Sequence, residues 1–246
     1  MTPSNRTHSG TRLGILQAGR APDALLGRHP DYNQMFVNLL GDDSFEYLHW
    51  PVLDGEFPAS VDDADAWLIT GSRFGAYEDH DWIPPLEALI RDIHASGKPM
   101  VGICFGHQII AQALGGRVEK FSGGWSVGRV EYQLDESVFG TDSLSANDTS
   151  ALMAFHQDQV TELPAGARNV GSSSFCKNAA LIYGDRILTI QPHPEFDRAF
   201  IEGLLETRGE ILPEPVKARA AESVHEPVNR ESIANVMRQF LTRDHA

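Results

Sequence analysis

A cysteine between two glycines is the residue of this chain whose type and setting most favour chemistry. Cys104 ends an apolar run and precedes a helical pattern, with Gly102 and Gly106 on either side. Strand, sharp turn, nucleophile and helix is the order of a nucleophile elbow, here with cysteine in place of serine. The partial positive charge of a helix N-terminus favours a thiolate over a thiol. Cys104 is therefore a candidate nucleophile; the alternative is a buried cysteine at a strand end.

A histidine and a glutamate two residues apart could complete a catalytic group. They follow a strand-like run, in the segment Pro192-His193-Pro194-Glu195. Pro194 disfavours the helical region for His193, and residues two apart in extended backbone point to the same side. His193 could then act as a base that Glu195 orients. The alternative is a proline-rich turn with a histidine and a glutamate on the surface.

Together, the two segments resemble the class I (triad-type) glutamine amidotransferases. Their order and separation match the family, and the resemblance covers about residues 12 to 200. In detail, the chain looks most like the small stand-alone members, some of which act on γ-glutamyl peptides or amides. Two further segments match, the second where the family carries His-x-Asp-x-Val: Trp67-Leu68-Ile69-Thr70-Gly71-Ser72 and Ala154-Phe155-His156-Gln157-Asp158-Gln159-Val160.

The resemblance implies an oxyanion hole built from backbone N–H groups. The N–H of Phe105, directly after the nucleophile, is one expected donor. The second donor is expected from the turn at Gly71 or Ser72. Many family members carry a second glycine there, often followed by proline, where this chain has Ser72-Arg73. Because a backbone N–H can donate whatever side chain it carries, the role can survive, and the choice between Gly71 and Ser72 stays open.

Substrate-binding residues are implied in the same way. Gln108 lies one helical turn after Cys104, so both can face one pocket, and the family uses this glutamine to hold the glutamine-like moiety. Trp125 falls where the family's backbone groups grip the α-amino and carboxylate groups. His156 and Asp158 either line the site or stabilise a turn.

No metal or other cofactor is predicted. A metal site formed by His107, His156 and His193 has no ligand spacing to support it, and the pairing of His193 with Glu195 accounts better for that histidine. His107 lies three residues after Cys104, and on a helix its side chain points about 100° away from that of its neighbour Gln108. We therefore interpret His107 as structural.

The predicted reaction is thiol-dependent hydrolysis of a γ-glutamyl amide through a γ-glutamyl thioester, which releases glutamate. Ammonia as the leaving group would make the protein a glutaminase, whereas an amine or amino acid would make it a γ-glutamyl peptidase or amidase. The chain has no Gly-x-x-x-x-Gly-Lys-[Ser/Thr] loop, so a synthetase that used the ammonia would be a separate chain. A non-catalytic binding protein on the same fold is the third hypothesis. The small chaperones and proteases with a cysteine elbow usually place histidine directly after the nucleophile, where this chain has Phe105.

Composition narrows the class of protein and its partners. The chain has 246 residues, 20 basic and 34 acidic, with a formal charge of −14. This charge disfavours nucleic acid and anionic membranes as partners. Only Cys104 and Cys176 are available, which predicts no disulfide framework. Residues 1–11 lack an apolar signal core, and no apolar run has membrane-spanning length, so we expect a cytoplasmic protein; a homodimer stays open.

Hydrophobic periodicity predicts an α/β fold. Strands separated by helices imply a central, mostly parallel sheet covered on both faces, and the resemblance implies a flavodoxin-like three-layer sandwich. The site is expected at the carboxyl ends of the strands. The predicted first-half elements are strands over 13–18, 45–52 and 66–70, helices over 32–40 and 83–95, and then the elbow strand and helix.

The second half departs from this alternation. Glycine-interrupted alternation over 117–134 and the pattern over 168–190 predict antiparallel strands, with a turn at 162–164 and a hairpin at 184–185. Helices are predicted over 197–208 and 232–242, separated by a charged, proline-bearing segment over 212–229. We expect a single domain over 1–246, with a core of about 12–205 and a helical C-terminal extension over 206–246.

Overall fold

The computed structural model describes residues 10–41, 43–140 and 149–242, and a large mixed sheet organises them. In its first half, parallel strands alternate with helices, as the sequence predicts. The strands are β1 (Arg12–Leu16), β2 (Glu46–Trp50), β3 (Ala66–Ile69) and β4 (Met100–Ile103), in the spatial order β2-β1-β3-β4. The helices are α1 (Asp23–Leu26), α2 (Tyr32–Leu40), α3 (Ile83–Ser96) and α4 (Phe105–Ala113).

The second half extends the same sheet with mainly antiparallel strands. Beside β4 lies β11, parallel to it, and the sheet continues in the order β11-β10-β9-β6-β7. A separate antiparallel pair joins β5 and β8. These strands are β5 (Arg117–Lys120), β6 (Ser126–Leu134), β7 (Thr149–His156), β8 (Asp158–Glu162), β9 (Ala167–Ser172), β10 (Ala180–Tyr183) and β11 (Ile187–Ile190). The helices are α5 (Glu136–Phe139), α6 (Arg198–Arg208), α7 (Glu214–Ser223) and α8 (Arg230–Leu241).

Helices cover both faces of the parallel strands, as the near-continuous burial of β1, β3, β4 and β11 requires. In β1, Leu13 and Ile15 pack into one core with α2 and α8, whereas Leu16 packs into a second core with α3 and α4. Helix α3 has prolines in its first turn and ends at Gly97, which adopts the left-handed conformation. Among the residues described, no helix is both long and apolar enough to cross a membrane.

The structure confirms the α/β class and the mixed sheet, and it also shows elements that the patterns do not reveal. The region 117–134 contains two strands that belong to different sheets, β5 and β6. Strands β7 and β8 have no predicted counterpart. Strand β7 is buried almost throughout, so its sequence shows no alternation of apolar and polar residues. Helix α7 lies inside the segment 212–229, which the sequence identifies only as charged and proline-bearing.

Two glycines determine how closely α4 approaches the strands. A Cβ atom on Gly106 would lie 2.3 Å from the carbonyl oxygen of Ile69, and one on Gly102 would lie 2.6 Å from the carbonyl oxygen of Gly106. Both contacts are with backbone atoms, which cannot move aside as the end of a flexible side chain can. Helix α4 can therefore begin directly after β4 only if both positions lack side chains.

We expect Gly106→Ala to lower the free energy of unfolding by about 2 kcal/mol or more, because the added methyl group overpacks against backbone. Gly27→Ala is the matched control: its Cβ would meet nothing within 4 Å and its φ is −77°. That change should alter stability by less than about 1 kcal/mol. Urea unfolding of both variants measures the difference, and equal stability of the two would contradict this account of the elbow.

Candidate active site

Cys104 occupies the turn between β4 and α4 with a strained backbone. Its φ of 53° and ψ of −100° make it the one non-glycine residue with positive φ in the described part of the chain. Its N–H donates to the Ile190 carbonyl at 2.9 Å, and its carbonyl accepts from the Gln108 N–H at 3.1 Å. The side chain is buried. This is the strained strand-to-helix turn expected of a nucleophile elbow.

His193 and Glu195 follow β11, the strand beside β4, so they reach the same edge of the sheet. The His193 ring nitrogen Nδ1 lies 2.7 Å from Glu195 Oε1, and the ring stacks on Phe196 at 3.9 Å between centroids. The His193 N–H donates to the Met153 carbonyl at 2.8 Å. The backbone of Gly71 lies against both the His193 ring and Cys104, so the imidazole stands close to the thiol. The thiol, imidazole and carboxylate thus lie in one row.

This row sets the protonation of His193. Burial opposes a charge on the imidazole, yet the nearby Glu195 carboxylate with its hydrogen bond and the nearby Cys104 sulfur outweigh burial and raise the pKa of His193 to about 10. The imidazole therefore holds its proton at neutral pH. With one proton directed at Glu195, the second ring nitrogen can face the sulfur.

Helix α8 fixes the loop that carries His193 and Glu195. The Arg230 guanidinium donates from Nε to the Pro194 carbonyl at 2.8 Å and from Nη2 to the Glu195 carbonyl at 3.1 Å. No motif in the sequence points to Arg230, because its contact is made across 35 residues or more. The prolines alone therefore do not define this loop.

The turn after β3 brings Gly71 and Ser72 to the same edge. A Cβ atom on Gly71 would lie 2.9 Å from His193 Cε1 and 3.8 Å from Cys104 Cβ, so this residue touches both. Ser72 lines a cavity with Cys104. The Phe105 N–H is at the first position of α4, where no intrahelical acceptor exists. Within the described residues, the N–H groups of Phe105, Gly71 and Ser72 have no hydrogen-bond acceptor, and their role as oxyanion donors stays a prediction.

Gln108 lies in this cavity, held by other polar groups. Its Nε2 donates to the Asp158 carbonyl at 2.9 Å and to Gln191 Oε1 at 3.1 Å. The Gln191 Nε2 in turn lies 3.5 Å from Cys104 Sγ. Gln191 directly precedes Pro192 and belongs to the segment that resembles the family, but the sequence analysis assigns no role to its side chain.

The other predicted binding residues line the same cavity, of about 210 Å³, with Cys104. His156 Nδ1 lies 3.2 Å from the Asp158 carbonyl oxygen, and burial lowers the pKa of His156 to about 4 despite that hydrogen bond. Burial also raises the pKa of the Asp158 carboxyl. Trp125 packs edge-to-face on Phe155. The sequence leaves open whether His156 and Asp158 line the site or stabilise a turn. In the structure both line the cavity, and they contact each other.

His107 does not line this cavity. It is fully buried, with its Nδ1 at 2.8 Å from the Thr189 hydroxyl, and burial lowers the pKa of His107 to about 3. A buried neutral histidine with this partner supports the interpretation that it is structural. No group of three His, Cys, Asp or Glu side chains suited to a metal ion occurs within the described ranges.

These groups are of the kinds that acyl transfer requires. A thiol, an imidazole and a carboxylate that is hydrogen-bonded to it stand beside backbone N–H groups and a polar cavity. Nucleophilic attack on a carbonyl needs a nucleophile, a base and oxyanion donors in such proximity.

Residues 58–199 match the family model "Glutamine amidotransferase class-I". Gamma-glutamyl peptidase 4 of Arabidopsis thaliana is 32% identical over 223 residues, which are 86% of this chain and 88% of that protein. A GMP synthase [glutamine-hydrolyzing] subunit from Archaeoglobus fulgidus is 37% identical over 99 residues, or 39% of this chain and 52% of that one. A glutamine amidotransferase from Thermotoga maritima has a similar fold, with a TM-score of 0.73 at 20% identity over 95% of this chain and 99% of that one.

The strain at residue 104 should reverse the usual order of stability, in which an alanine variant is more stable than a glycine variant. Cys104→Gly relieves strain of roughly 1–3 kcal/mol that Cys104→Ala retains, whereas glycine costs about 0.5–1 kcal/mol more than alanine through the unfolded chain. We therefore expect the Gly variant to be about 1 kcal/mol more stable than the Ala variant in chemical unfolding. Ala95→Gly, on an exposed position of α3, should be destabilising by about 1 kcal/mol. A Gly variant less stable than the Ala variant would argue against strain at this turn.

Burial of neutral His107 should make folding sensitive to acid. Between pH 6.5 and about 3 the unfolded chain is protonated at this residue and the folded chain is not, so stability falls as the pH drops, by up to about 1.4 kcal/mol per pH unit. We expect His107→Gln to be less stable at pH 7 but to show a shallower decline between pH 6 and 4. His94→Gln, on the exposed side of α3, is the control and should retain the wild-type slope. Unfolding free energies at several pH values measure this, and parallel profiles for wild type and His107→Gln would refute it.

Proposed function

The chain belongs to the class-I glutamine amidotransferase family, and we propose that it is a cysteine-dependent hydrolase of the γ-glutamyl amide bond. The observation that carries this proposal is the row formed by Cys104, His193 and Glu195. All three side chains are buried, and the nucleophile candidate stands at a strained elbow. A binding protein without catalytic activity would need neither the strained backbone at Cys104 nor the buried charged pair of His193 and Glu195.

In the proposed reaction, the Cys104 sulfur attacks the γ-carbonyl carbon of the substrate. The oxyanion that forms meets the N–H of Phe105 and a second N–H from Gly71 or Ser72. His193 gives its proton to the leaving amine as the carbon–nitrogen bond breaks, which leaves a γ-glutamyl thioester. A water molecule then attacks the thioester, His193 takes its proton, and glutamate and the free thiol are released.

Gln108, Trp125 and His156 are proposed to hold the glutamyl part. They line the cavity that contains Cys104. Gln108 is fixed by its bonds to the Asp158 carbonyl and to Gln191, so its amide oxygen can accept from the substrate without reorganisation of the side chain. We extend the proposal to chain organisation: 1–246 forms one domain, in which Arg230 of the C-terminal extension supports the catalytic loop.

For the leaving group we favour an amine or amino acid, which makes the protein a self-sufficient γ-glutamyl peptidase or amidase. The similarity to gamma-glutamyl peptidase 4 runs through 88% of that protein. A second candidate is a glutaminase chain that supplies ammonia to a separate synthetase chain. It is supported by the similarity to the GMP synthase [glutamine-hydrolyzing] subunit of Archaeoglobus fulgidus, which covers 52% of that protein.

The proposal is tested by kcat/KM of the isolated chain on glutamine, a γ-glutamyl-alkylamide and a γ-glutamyl dipeptide. We expect turnover of the last two, its loss in Cys104→Ser, and a loss of several orders of magnitude in His193→Asn. Glu195→Gln should cost less, because the Met153 carbonyl and the Phe196 ring still position the histidine loop.

Cys176 provides an internal control, because it is also buried and burial raises the pKa of its thiol to about 12. Cys176→Ser should retain turnover. The glutamine analogue diazo-oxo-norleucine should add one mass equivalent at Cys104 alone. Labelling at Cys176 with Cys104 untouched would refute the assignment. No turnover until a second protein from the same cell is added would support the glutaminase candidate instead.

A further inference from the structure

Two arginines lie between the cavity that contains Cys104 and a second, larger cavity. Arg73 and Arg208 line both, and the second cavity has a volume of about 460 Å³, within the size range of small-molecule sites. Arg73 directly follows the turn that carries Gly71 and Ser72. The two side chains are therefore shared by both cavities, and a group bound to them would lie at the border of the cavity that contains Cys104.

The charge of the second cavity is unusual for this protein. The chain carries 34 acidic and 20 basic residues, yet the charged residues that line the cavity are Asp23 and three arginines, Arg20, Arg73 and Arg208. The lining is thus net positive in a protein of net charge −14. A positive concave surface in an acidic protein favours an anionic ligand.

Of the three arginines, two are available to a ligand. Arg20 forms an ion pair with Asp54. Neither Arg73 nor Arg208 has an acidic partner within the described residues. Arg73 instead lies over the Phe74 ring at 4.9 Å, an arrangement that leaves the edge of the guanidinium free to donate. Arg208 is half-buried in the last turn of α6.

Arg208 also lies on the imidazole side of the candidate site. His193 stacks on Phe196, and the Phe196 ring lies 5.8 Å from that of Tyr32. Arg208 stands on α6, and Phe200 of the same helix packs against the Tyr32 ring at 6.2 Å and the Phe196 ring at 4.5 Å between centroids. In the proposed reaction the leaving amine takes its proton from the imidazole, so the amine must lie within reach of His193.

We propose that Arg73 and Arg208 bind a carboxylate on the leaving amine, so that the substrates are γ-glutamyl amino acids or peptides with a carboxylate near the scissile amide. This inference rests on the proposed function. Guanidinium groups match carboxylates with paired charge-assisted hydrogen bonds, which fix orientation as well as affinity. Ammonia would use neither arginine, so the site is that of a peptidase and not that of a glutaminase.

The test compares γ-glutamylalanine with γ-glutamylalaninamide, which differ only in the carboxylate. We expect the wild type to prefer the acid. Arg73→Gln and Arg208→Gln should each lower kcat/KM for the acid by about 10-fold, the typical effect of losing a charged hydrogen bond. Both variants should leave the amide substrate and a γ-glutamyl-alkylamide within about 2-fold of wild type. Lysine at either position should restore part of the preference.

Arg168→Gln is the matched control, because Arg168 is exposed, pairs with Asp135 and lines neither cavity. It should leave the preference intact, and melting temperatures of all variants check their folding. The outcomes are separable. Wild-type turnover without a preference for the acid overturns this inference alone. Equal losses on all three substrates would mean that the arginines bind the glutamyl part, which also overturns it. A wild type inactive on every substrate would overturn the proposed function and this inference with it.

Discussion

Close packing of α4 against the ends of β3 and β4 is the steric constraint on which the candidate site depends. Side chains at Gly102 or Gly106 would collide with backbone atoms at 2.6 and 2.3 Å. Because the helix starts so near the strand, the connecting residue must reverse the chain within one position, and Cys104 adopts a φ of 53°. The same short turn leaves the Phe105 N–H without an intrahelical acceptor beside the sulfur. The positions of the candidate nucleophile and of one candidate oxyanion donor thus have a common cause.

Parallel pairing supplies the remaining groups. Strands β3, β4 and β11 are adjacent and parallel, so the residues that follow them meet at one edge. Gly71, Cys104 and His193 are therefore neighbours although they are far apart in sequence. The contact is tight enough that Gly71 must be a glycine, since a Cβ atom there would lie 2.9 Å from His193 Cε1. The spacing of the motifs along the chain thus reflects the order of strands in the sheet.

The features that the sequence predicts well are those with a local cause. The glycines around Cys104 and the prolines around His193 act on their own neighbours, and apolar periodicity defines helices such as α2, predicted over 32–40 and observed as Tyr32–Leu40. No sequence pattern identifies Arg230 or Arg208, because each acts through contacts that only the folded chain creates. Strand β7 escapes prediction because burial on both faces removes the alternation by which a strand is recognised.

The C-terminal segment is energetically part of the site for the same non-local reason. A buried imidazole–carboxylate pair is costly to desolvate and is maintained only where its geometry is enforced. Glu195 Oε2 is buried without a hydrogen-bond partner among the described residues, so the bond from Oε1 to His193 is what orients the Glu195 carboxylate. From α8, Arg230 binds the carbonyl oxygens of Pro194 and Glu195, and the Phe196 ring supports the imidazole face. The loop that carries His193 and Glu195 therefore depends on a helix that lies outside the matched family region, 58–199.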